Sequence, residues 1–575
     1  MGTYCRAEMK FIDVLALSDA TVTTDDNQGI GYVELFSDET KQKDYGTLEL
    51  NQFVLDGSKS ILPVVPTDIA FWNNALSMDD CTFEVNPKIT ISFSGQHSSS
   101  GLTLYFEDEY PEEIKVSWYT LYGSELITET YYPDNLVYEC RNQVHNYGKI
   151  VIEFVRTSFP KRYVKLQYVL YGKYIVWDKD MVQSATVQED IDVTSATIPI
   201  NEAYISIVDE RNDFDAGNES GAWKSVQKTQ EVTLSEFNNG EIIPMGTYFV
   251  NDFSFSRNIA KFSLVDVVGL LDKYTFYEGE IYTNVKASEI LKAIFHAAGV
   301  RKYVIDDVVG DILLSGHLAI QTCREALQKV CFACGAVAHS CRSDTLRIYK
   351  PDRYVKSTVG TNRKFNGGTI ITLDEYVSGV SIECKKYSLD KEESEILNEK
   401  LAAGETKIMF SEPYLPESIV ASKGTLKEIK ANYLVIYMEM AGECVITGKK
   451  YSNTTFSIQR NIDFLEAGET ENVKSFNGCT IYRSEKLLDI AEHILNYYGL
   501  RKKVDMRYLP NAEQVGEWVN INQIGGTTST TLMESQSVDL TGGCIATASC
   551  RGYSIVVTED VFTGEELFAG GDVLI

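Results

Sequence analysis

The chain has 575 residues, 44% of them apolar and 11% aromatic, and a formal charge of −29. Its length divides into roughly three to five domains of about 100–200 residues, and its acidity, with no lysine or arginine stripe to offset it, excludes nucleic-acid recognition by a basic face. No start combines basic residues with an apolar run of secretory length, no window nears the roughly 18 apolar residues of a membrane helix, and twelve cysteines without a scaffold pattern read as reduced thiols.

Residues 1–44 contain a strand-like KFIDVLAL and a polar TVTTDDNQG, an N-terminal arm or edge-pairing segment. Residues 45–175 alternate densely: TLELNQFVLDG, KITISFS, GLTLYFED, IKVSWYTLYG, KIVIEFV and YVKLQYVLYG, with Gly, Pro, Asn or Asp between most runs. Short strands at this spacing predict a β-sandwich, with a jelly roll as its preferred form. Aromatics concentrate there: Phe71, Trp72, Tyr105, Trp118, Tyr119, Tyr122, Tyr131 and Tyr132. Flat apolar faces with polar edges stack on sugar rings, so Trp72, Tyr105, Trp118, Tyr119 and Tyr122 are candidate glycan contacts; packing within strands competes with that reading at each position. The acidic run YFEDEYPEE offers Glu107, Asp108 and Glu109 as carboxylates for glycoside hydrolysis. A stretch of mixed strand and turn does not fix their separation, and a solvated loop is the preferred reading.

Strands continue from about 187 through ATIPI, AYISIVD and KTQEVTLSEF to IIPMGTYFVNDFSFSRNIAKFSLVDVVGLLDK, with Gly246 expected at a turn and a change to helix near the end. VKASEILKAIFHAAGV places Ile290, Leu291, Ile294 and Phe295 on one helix face, with Ser288 as N-cap and Gly299 as stop.

CFACGAVAHSC, residues 331–341, begins like a zinc knuckle, since Cys331, Cys334 and His339 follow C-x2-C-x4-H. The fourth ligand would fall at Asp344, and the two thiols continue a helical stripe with Cys323, Leu327 and Val330. Gly335 then fits a helix C-terminus, and AVAHSC and TLRIYK flank Arg342, Ser343 and Asp344 as two short strands and a turn. Structural thiols are preferred to a metal site, and residues 276–355 read as a small α+β unit.

Residues 356–483 are again strand-rich (GVSIECKKYS, ETKIMFSEPY, YLVIYMEM, GECVITGKKYS). SEKLLDIAEHILNYYGLRKKV reads as a helix capped by Ser484, ended at Gly499 and burying Leu487, Leu488, Ala491, Ile494 and Leu495. A last strand group, VDMRYLP to GCIATASCRGYSIVV, precedes the tail within 484–575. There is no P-loop, G-x-G-x-x-G, H-E-x-x-H or G-x-S-x-G. The histidines His97, His145, His296, His317, His339 and His493 are scattered.

The order IIPMGTYFVNDFSF, KFSLVDVVGLLDKYTF, VKASEILKAIFHAAGV, CREALQKVCFACGAVAHSC, TLRIYKP, SEPYLPESIVASKGTLKEIKANYLVIYMEMAGECVITGKKYS and LLDIAEHILNYYGLRKKV resembles the tail-tip and baseplate hub proteins of phages and phage-derived contractile injection systems, over roughly residues 187–555. The N-terminal part is similar to a galactose-binding-like β-sandwich fused ahead of such hubs. The resemblance implies a β-rich α+β multidomain chain: an arm (1–44), the sandwich (45–175), a first tail-tube-like β-barrel (176–275), an α+β insert (276–355), a second β-barrel (356–483) and a C-terminal α+β domain and tail (484–575). It implies a homotrimeric ring in the virion, assembled in the host cytoplasm, that closes the tail tube. Its expected partners are tube and distal tail or baseplate proteins, a spike or fibre protein and a host cell-wall glycan. DNA would slide through an acidic lumen without specific binding. It implies no catalytic residue, cofactor, metal or membrane insertion, and CFACGAVAHSC would brace the ring from within the insert. A carbohydrate-binding receptor protein acting through 45–175, and a glycosidase, are the rival readings.

Overall fold

In the computed structural model the described residues are 4–12, 16, 19–24, 29–31 and 71–555, apart from 100, 107–108, 143, 210–213, 215–225, 227, 239–240, 257, 466–467, 512, 524–525 and 542. The expected strand within TLELNQFVLDG, the tail after 555, and Glu107 and Asp108 lie outside them. The described chain is mainly strand, and no described helix is long and apolar enough to cross a membrane.

Period-two patterning builds one dominant sheet of 13 strands. Along one half run Gly172–Trp177, Tyr4–Ile12, Glu231–Asn238, Glu241–Ser256, Ile259–Val265, Glu202–Val208 and Val182–Asp190; then come Thr528–Asp539, Ile545–Ile555, Lys502–Tyr508 and Lys364–Leu373. The halves join where Thr186 to Asp190 pair antiparallel with Asp539 to Ser535. Trp518–Asn522 also pairs with Thr528–Asp539, and Val355–Val359 lies parallel to Trp518–Asn522. Alternate residues such as Ala260, Phe262 and Leu264, and Ala546, Ala548 and Cys550, point into one shared core.

Two details of this sheet differ from the sequence-based expectation. The first strand begins at Tyr4, because Cys5, Ala7 and Met9 alternate inward, and it pairs on both sides instead of forming an edge. Gly246 sits inside the strand Glu241–Ser256, at a bulge and not at a turn: Leu234 pairs with Gly246 while Ser235 pairs with Pro244, leaving Met245 unmatched. Gly246 has φ +113°, where a side chain is strained, and Pro244 lacks the N–H that a regular ladder would use.

Residues 13–171 are an excursion between two paired strands, since Ile12 is the register partner of Gly172. They supply two five-stranded sheets. One runs Thr21–Thr24, Lys88–Ser99, Val144–Thr157, Pro111–Tyr119, Glu125–Tyr131; the other runs Gly29–Gly31, Phe71–Asn73, Lys165–Leu170, Leu102–Phe106, Val137–Cys140. Ile89, Ile91, Val116, Ile150, Ile152 and Phe154 from the first meet Phe71, Leu104, Phe106, Leu166 and Val169 from the second in one core.

The helices Ala287–Ala297 and Cys323–Cys334 share a second core with the short helix Val267–Leu271 and two three-stranded sheets. Ser288 lies inside the first helix instead of capping it. The strand Ile281–Lys286 runs directly into the helix, and the Ala287 N–H donates to Ile312 O at 2.8 Å, so a first-turn donor already has a sheet partner. Ser484 likewise is not a cap. Its N–H donates to Leu313 O at 2.9 Å and its hydroxyl meets Ser315 Oγ at 2.8 Å, so it extends the strand Ile481–Arg483, and the helix starts only at Leu488. Leu488, expected inward, is 52% exposed because Ile490, Ala491, Ile494 and Leu495 set the buried face.

Within 356–483, Lys364–Leu373 belongs to the large sheet. Tyr451–Asn461, Gly379–Leu389 and Val473–Cys479 form a three-stranded sheet under the helix Leu488–Tyr498. Between them the chain forms two further three-stranded sheets around a core of their own, with Leu434, Ile436, Cys444 and Ile446 buried.

Candidate functional site

The five aromatic candidates do not converge. Trp118 is fully buried in the two-sheet core, where it cannot touch a sugar; its inward position follows from the alternation Val116, Trp118 on a strand with one apolar face. Tyr119 is half-buried beneath the Lys149 ammonium, 4.3 Å from its ring centre. Trp72 and Tyr105 lie on the other sheet, and both are half-buried. Trp72 packs edge-on to Tyr163 at 5.6 Å, and Tyr105 stacks on its register partner Tyr168 at 4.2 Å. Tyr122 alone of the five is presented to solvent, 89% exposed, in a hairpin turn closed by Thr120 N to Ser124 O at 2.8 Å. The acidic run contributes Glu109, whose carboxylate accepts from Arg162 Nε at 2.9 Å, an ion pair that holds a loop.

The stretch 331–344 has a more definite place. Thr322 caps its helix in a reciprocal box, its hydroxyl accepting from Glu325 N–H while the Glu325 carboxylate accepts from Thr322 N–H. The spacing Thr-x-x-Glu was the available signal for this start. Gly335 ends the helix in the left-handed region, φ +61°. Cys331 and Cys334 are buried, and burial holds both as neutral thiols, Cys334 pushed up to about 12. His339 Nδ1 accepts from Cys341 N–H at 3.1 Å, so its proton is on Nε2, donated to Tyr349 OH at 2.9 Å. Both ring nitrogens are thus committed, and among the described residues no three His, Cys, Asp or Glu side chains are grouped to hold a metal ion.

What the hairpin does is carry Arg342 into the joint between the two halves of the large sheet. Arg342 has φ +50°, and its guanidinium, 3% exposed, donates to Glu189 Oε2 at 3.4 Å and to Gln536 Oε1 at 2.8 Å. Glu189 and Gln536 lie on Val182–Asp190 and Thr528–Asp539, the strands that join the two halves, and Gln536 Nε2 donates onward to Tyr508 OH at 2.6 Å. Burial raises the Glu189 carboxyl and the Arg342 charge opposes that rise. Beside it, Asp266 accepts from Ser340 Oγ, Asn201 Nδ2 and Gly269 N–H, each at 3.1 Å, and burial lifts its pKa to about 7. Gln328 Nε2 donates to Ser195 O at 2.6 Å, and His493 Nε2 to Val193 O at 3.2 Å. The buried polar cluster around Arg342 and Asp266 therefore ties the helix-hairpin unit to both halves of the sheet, and the half-buried His493, from the helix Leu488–Tyr498, adds a separate tie. The cluster's parts are far apart in sequence, and the only local signal was a turn.

No family model matches the chain, and no curated protein matches it. Among solved structures the chain is similar to phage tail and secretion-system proteins. One is a tail protein from Neisseria meningitidis (10% identity, covering 64% of this chain and 92% of that one, TM-score 0.38). Another is the prophage tail protein gp18 from Listeria monocytogenes (8% identity, 66% and 91% covered, TM-score 0.37). A third is an Escherichia coli component of the type VI secretion system, described as structurally similar to bacteriophage T4 tail proteins (8% identity, 66% and 74% covered, TM-score 0.32).

Proposed function

We propose that the chain is a non-enzymatic structural hub of a phage tail or phage-derived particle. In this reading three copies form a ring that closes the tail tube, meets tube and distal tail or baseplate proteins, and docks a spike or fibre protein. The observation that carries it is the pair of strand-rich halves fused edge to edge through Val182–Asp190 and Thr528–Asp539 and locked by Arg342. A pair of β units per chain is what a threefold ring needs to present six similar faces to a sixfold tube, each unit acting as one tail-tube-like barrel. The second would be built from Val355–Val359, Lys364–Leu373 and the strands of 502–555, instead of from 356–483 as the sequence resemblance implied. A ring of repeated heterologous contacts closes without leaving an open end. The charge of −29 fits a lumen that repels DNA and lets it slide. The two-sheet unit, read as the galactose-binding-like sandwich, is displayed on this body.

Light scattering together with negative-stain electron microscopy of the purified chain tests the hub. The expected result is about three times the 64.5 kDa chain mass and a threefold ring with a central opening; a lone chain that stays monomeric when mixed with tail-tube protein would overturn it. A receptor-binding role for the two-sheet unit is the second reading, favoured by the exposed Tyr122 and its half-exposed neighbour Leu121 at one hairpin tip. Cell-wall glycan affinity that is lost in Tyr122→Ala would support that role.

A further inference from the structure

Beyond the joint, the described chain holds one pair of thiols set opposite each other on neighbouring strands. Cys384 on Gly379–Leu389 is the register partner of Cys479 at the end of the parallel strand Val473–Cys479. A one-residue irregularity creates the match. Ile382 pairs with Phe476, and three residues on one strand then span two on the other, so that Cys479 faces Cys384. Gly478, at φ +78°, makes that turn of the backbone without strain. Both sulfurs point into the same core, with Phe456, Phe476, Ile458 and Tyr482. Cys384 is 1% exposed and Cys479 half-buried, within reach of a small molecule. Adjacent strands lie about 4.8 Å apart, inside the Cα separation of about 4.4–6.8 Å that a disulfide spans.

We propose that Cys384 and Cys479 form an oxidisable dithiol, a modification site whose co-reactant is a small-molecule disulfide, R–S–S–R. The thiolate of the pair attacks one sulfur of R–S–S–R and releases R–S−, which takes up the proton. The second protein thiol then displaces the remaining R–SH with its own proton. One Sγ–Sγ bond forms, the two protein sulfurs are oxidised, and one disulfide is reduced to two thiols. The neighbouring sulfur holds the Cys384 thiol below its ordinary value, and the same neighbour together with burial raises that of Cys479. The half-buried Cys479 is the sulfur a small disulfide meets first, and the buried Cys384 then resolves the mixed disulfide. The bond would close the base of the segment between the two cysteines, which carries the two small sheets around Leu434 and Ile446. Its occasion, passage of a particle from a reducing cell to an oxidising medium, rests on the proposed function; the chemistry does not.

The test is thiol mapping of the reduced full-length chain exposed to oxidised glutathione, alkylated and digested without reductant. A Cys384–Cys479 linked peptide, reversed by dithiothreitol, is expected, while Cys81, half-buried like Cys479 but with no thiol opposite it among the described residues, takes glutathione and serves as the internal control. In Cys384→Ser the adduct on Cys479 should persist, at least tenfold more abundant than in the unsubstituted chain. If Cys384 and Cys479 both stay alkylatable while Cys81 is modified, or if the adduct on Cys479 is as abundant in the unsubstituted chain as in Cys384→Ser, the proposal falls. None of these outcomes depends on whether the chain forms a ring.

Discussion

At the scale of single residues, the strongest energetic statement concerns Arg342. Its charge and that of Glu189 are almost wholly out of water, 3% and 0% exposed, so neither is tolerable without the other. Arg342→Ala should weaken the joint by about 3–5 kcal/mol, because it strands a buried carboxylate. The double substitution Arg342→Met with Glu189→Leu should cost far less, since it removes both desolvation penalties. Hydrogen exchange of the Val182–Asp190 amides reads the local opening directly; equal acceleration in the single and double variants would mean that the ion pair is not what holds the strands. A second residue-scale effect is a pH dependence. His317 is buried, its Nε2 donating to Asn432 Oδ1 at 2.7 Å, and its pKa is lowered from 6.5 to about 4, mainly by burial and further by the Lys329 charge. A base whose folded pKa is depressed favours folding above its unfolded pKa, and loses that as pH falls through about 6.5 toward 4. The loss amounts to about 3 kcal/mol at completion. His317→Gln should flatten the fall in melting temperature over that window, and a variant with the native slope would refute the assignment.

At the scale of elements, the strand Lys364–Leu373 is the end of the large sheet, paired only with Lys502–Tyr508 among the described residues. It leaves Ile370 61%, Ile371 47% and Leu373 73% exposed, so apolar side chains stand in water on both faces of an open edge. Such edges recruit further strands unless they are covered or charged. In the proposed ring this is the edge that a neighbouring copy would cover. Leu373→Lys should then reduce the mass measured by light scattering toward one chain while the separate chains keep their fold, read as native amide protection of Val182–Asp190; an unchanged trimer would move the contact elsewhere. Elements are also where the sequence was most legible. The alternation in IAKFSLV and the stripe through Cys323, Leu327, Val330, Cys331 and Cys334 follow from one buried face each, and local periodicity carries that information. The failures share a cause. Ser288 and Ser484 look like caps, and Trp118 like a sugar platform, because the partners that decide otherwise, Ile312, Ser315 and the opposed sheet, come from other parts of the chain. Arg342 was invisible for the same reason, its partners lying 153 and 194 residues away.

At the scale of the whole molecule, the way residues 13–171 are inserted makes the separation of display from assembly testable. The excursion leaves and returns at register partners, Ile12 and Gly172, on two strands that also pair from Ala7 with Trp177 onward. The core of the two five-stranded sheets has no residue in common with that of the large sheet. A described contact across the boundary is the Thr103 hydroxyl donating to Gly172 O at 2.8 Å. Replacing residues 13–171 by Asn-Gly, a pair suited to a two-residue hairpin, should therefore leave Tyr4–Ile12 and Gly172–Trp177 as a closed hairpin. The large sheet, with the Arg342 joint at its centre, should keep its core. The shortened chain is expected to be soluble, to protect the Val182–Asp190 amides as the full chain does, and to give the same number of copies per assembly by light scattering. Loss of any cell-wall binding together with retention of the ring would assign attachment to the two-sheet unit and assembly to the rest. A shortened chain that aggregates, or that loses amide protection at the joint, would show that the sheets of residues 13–171 are part of the body they adorn.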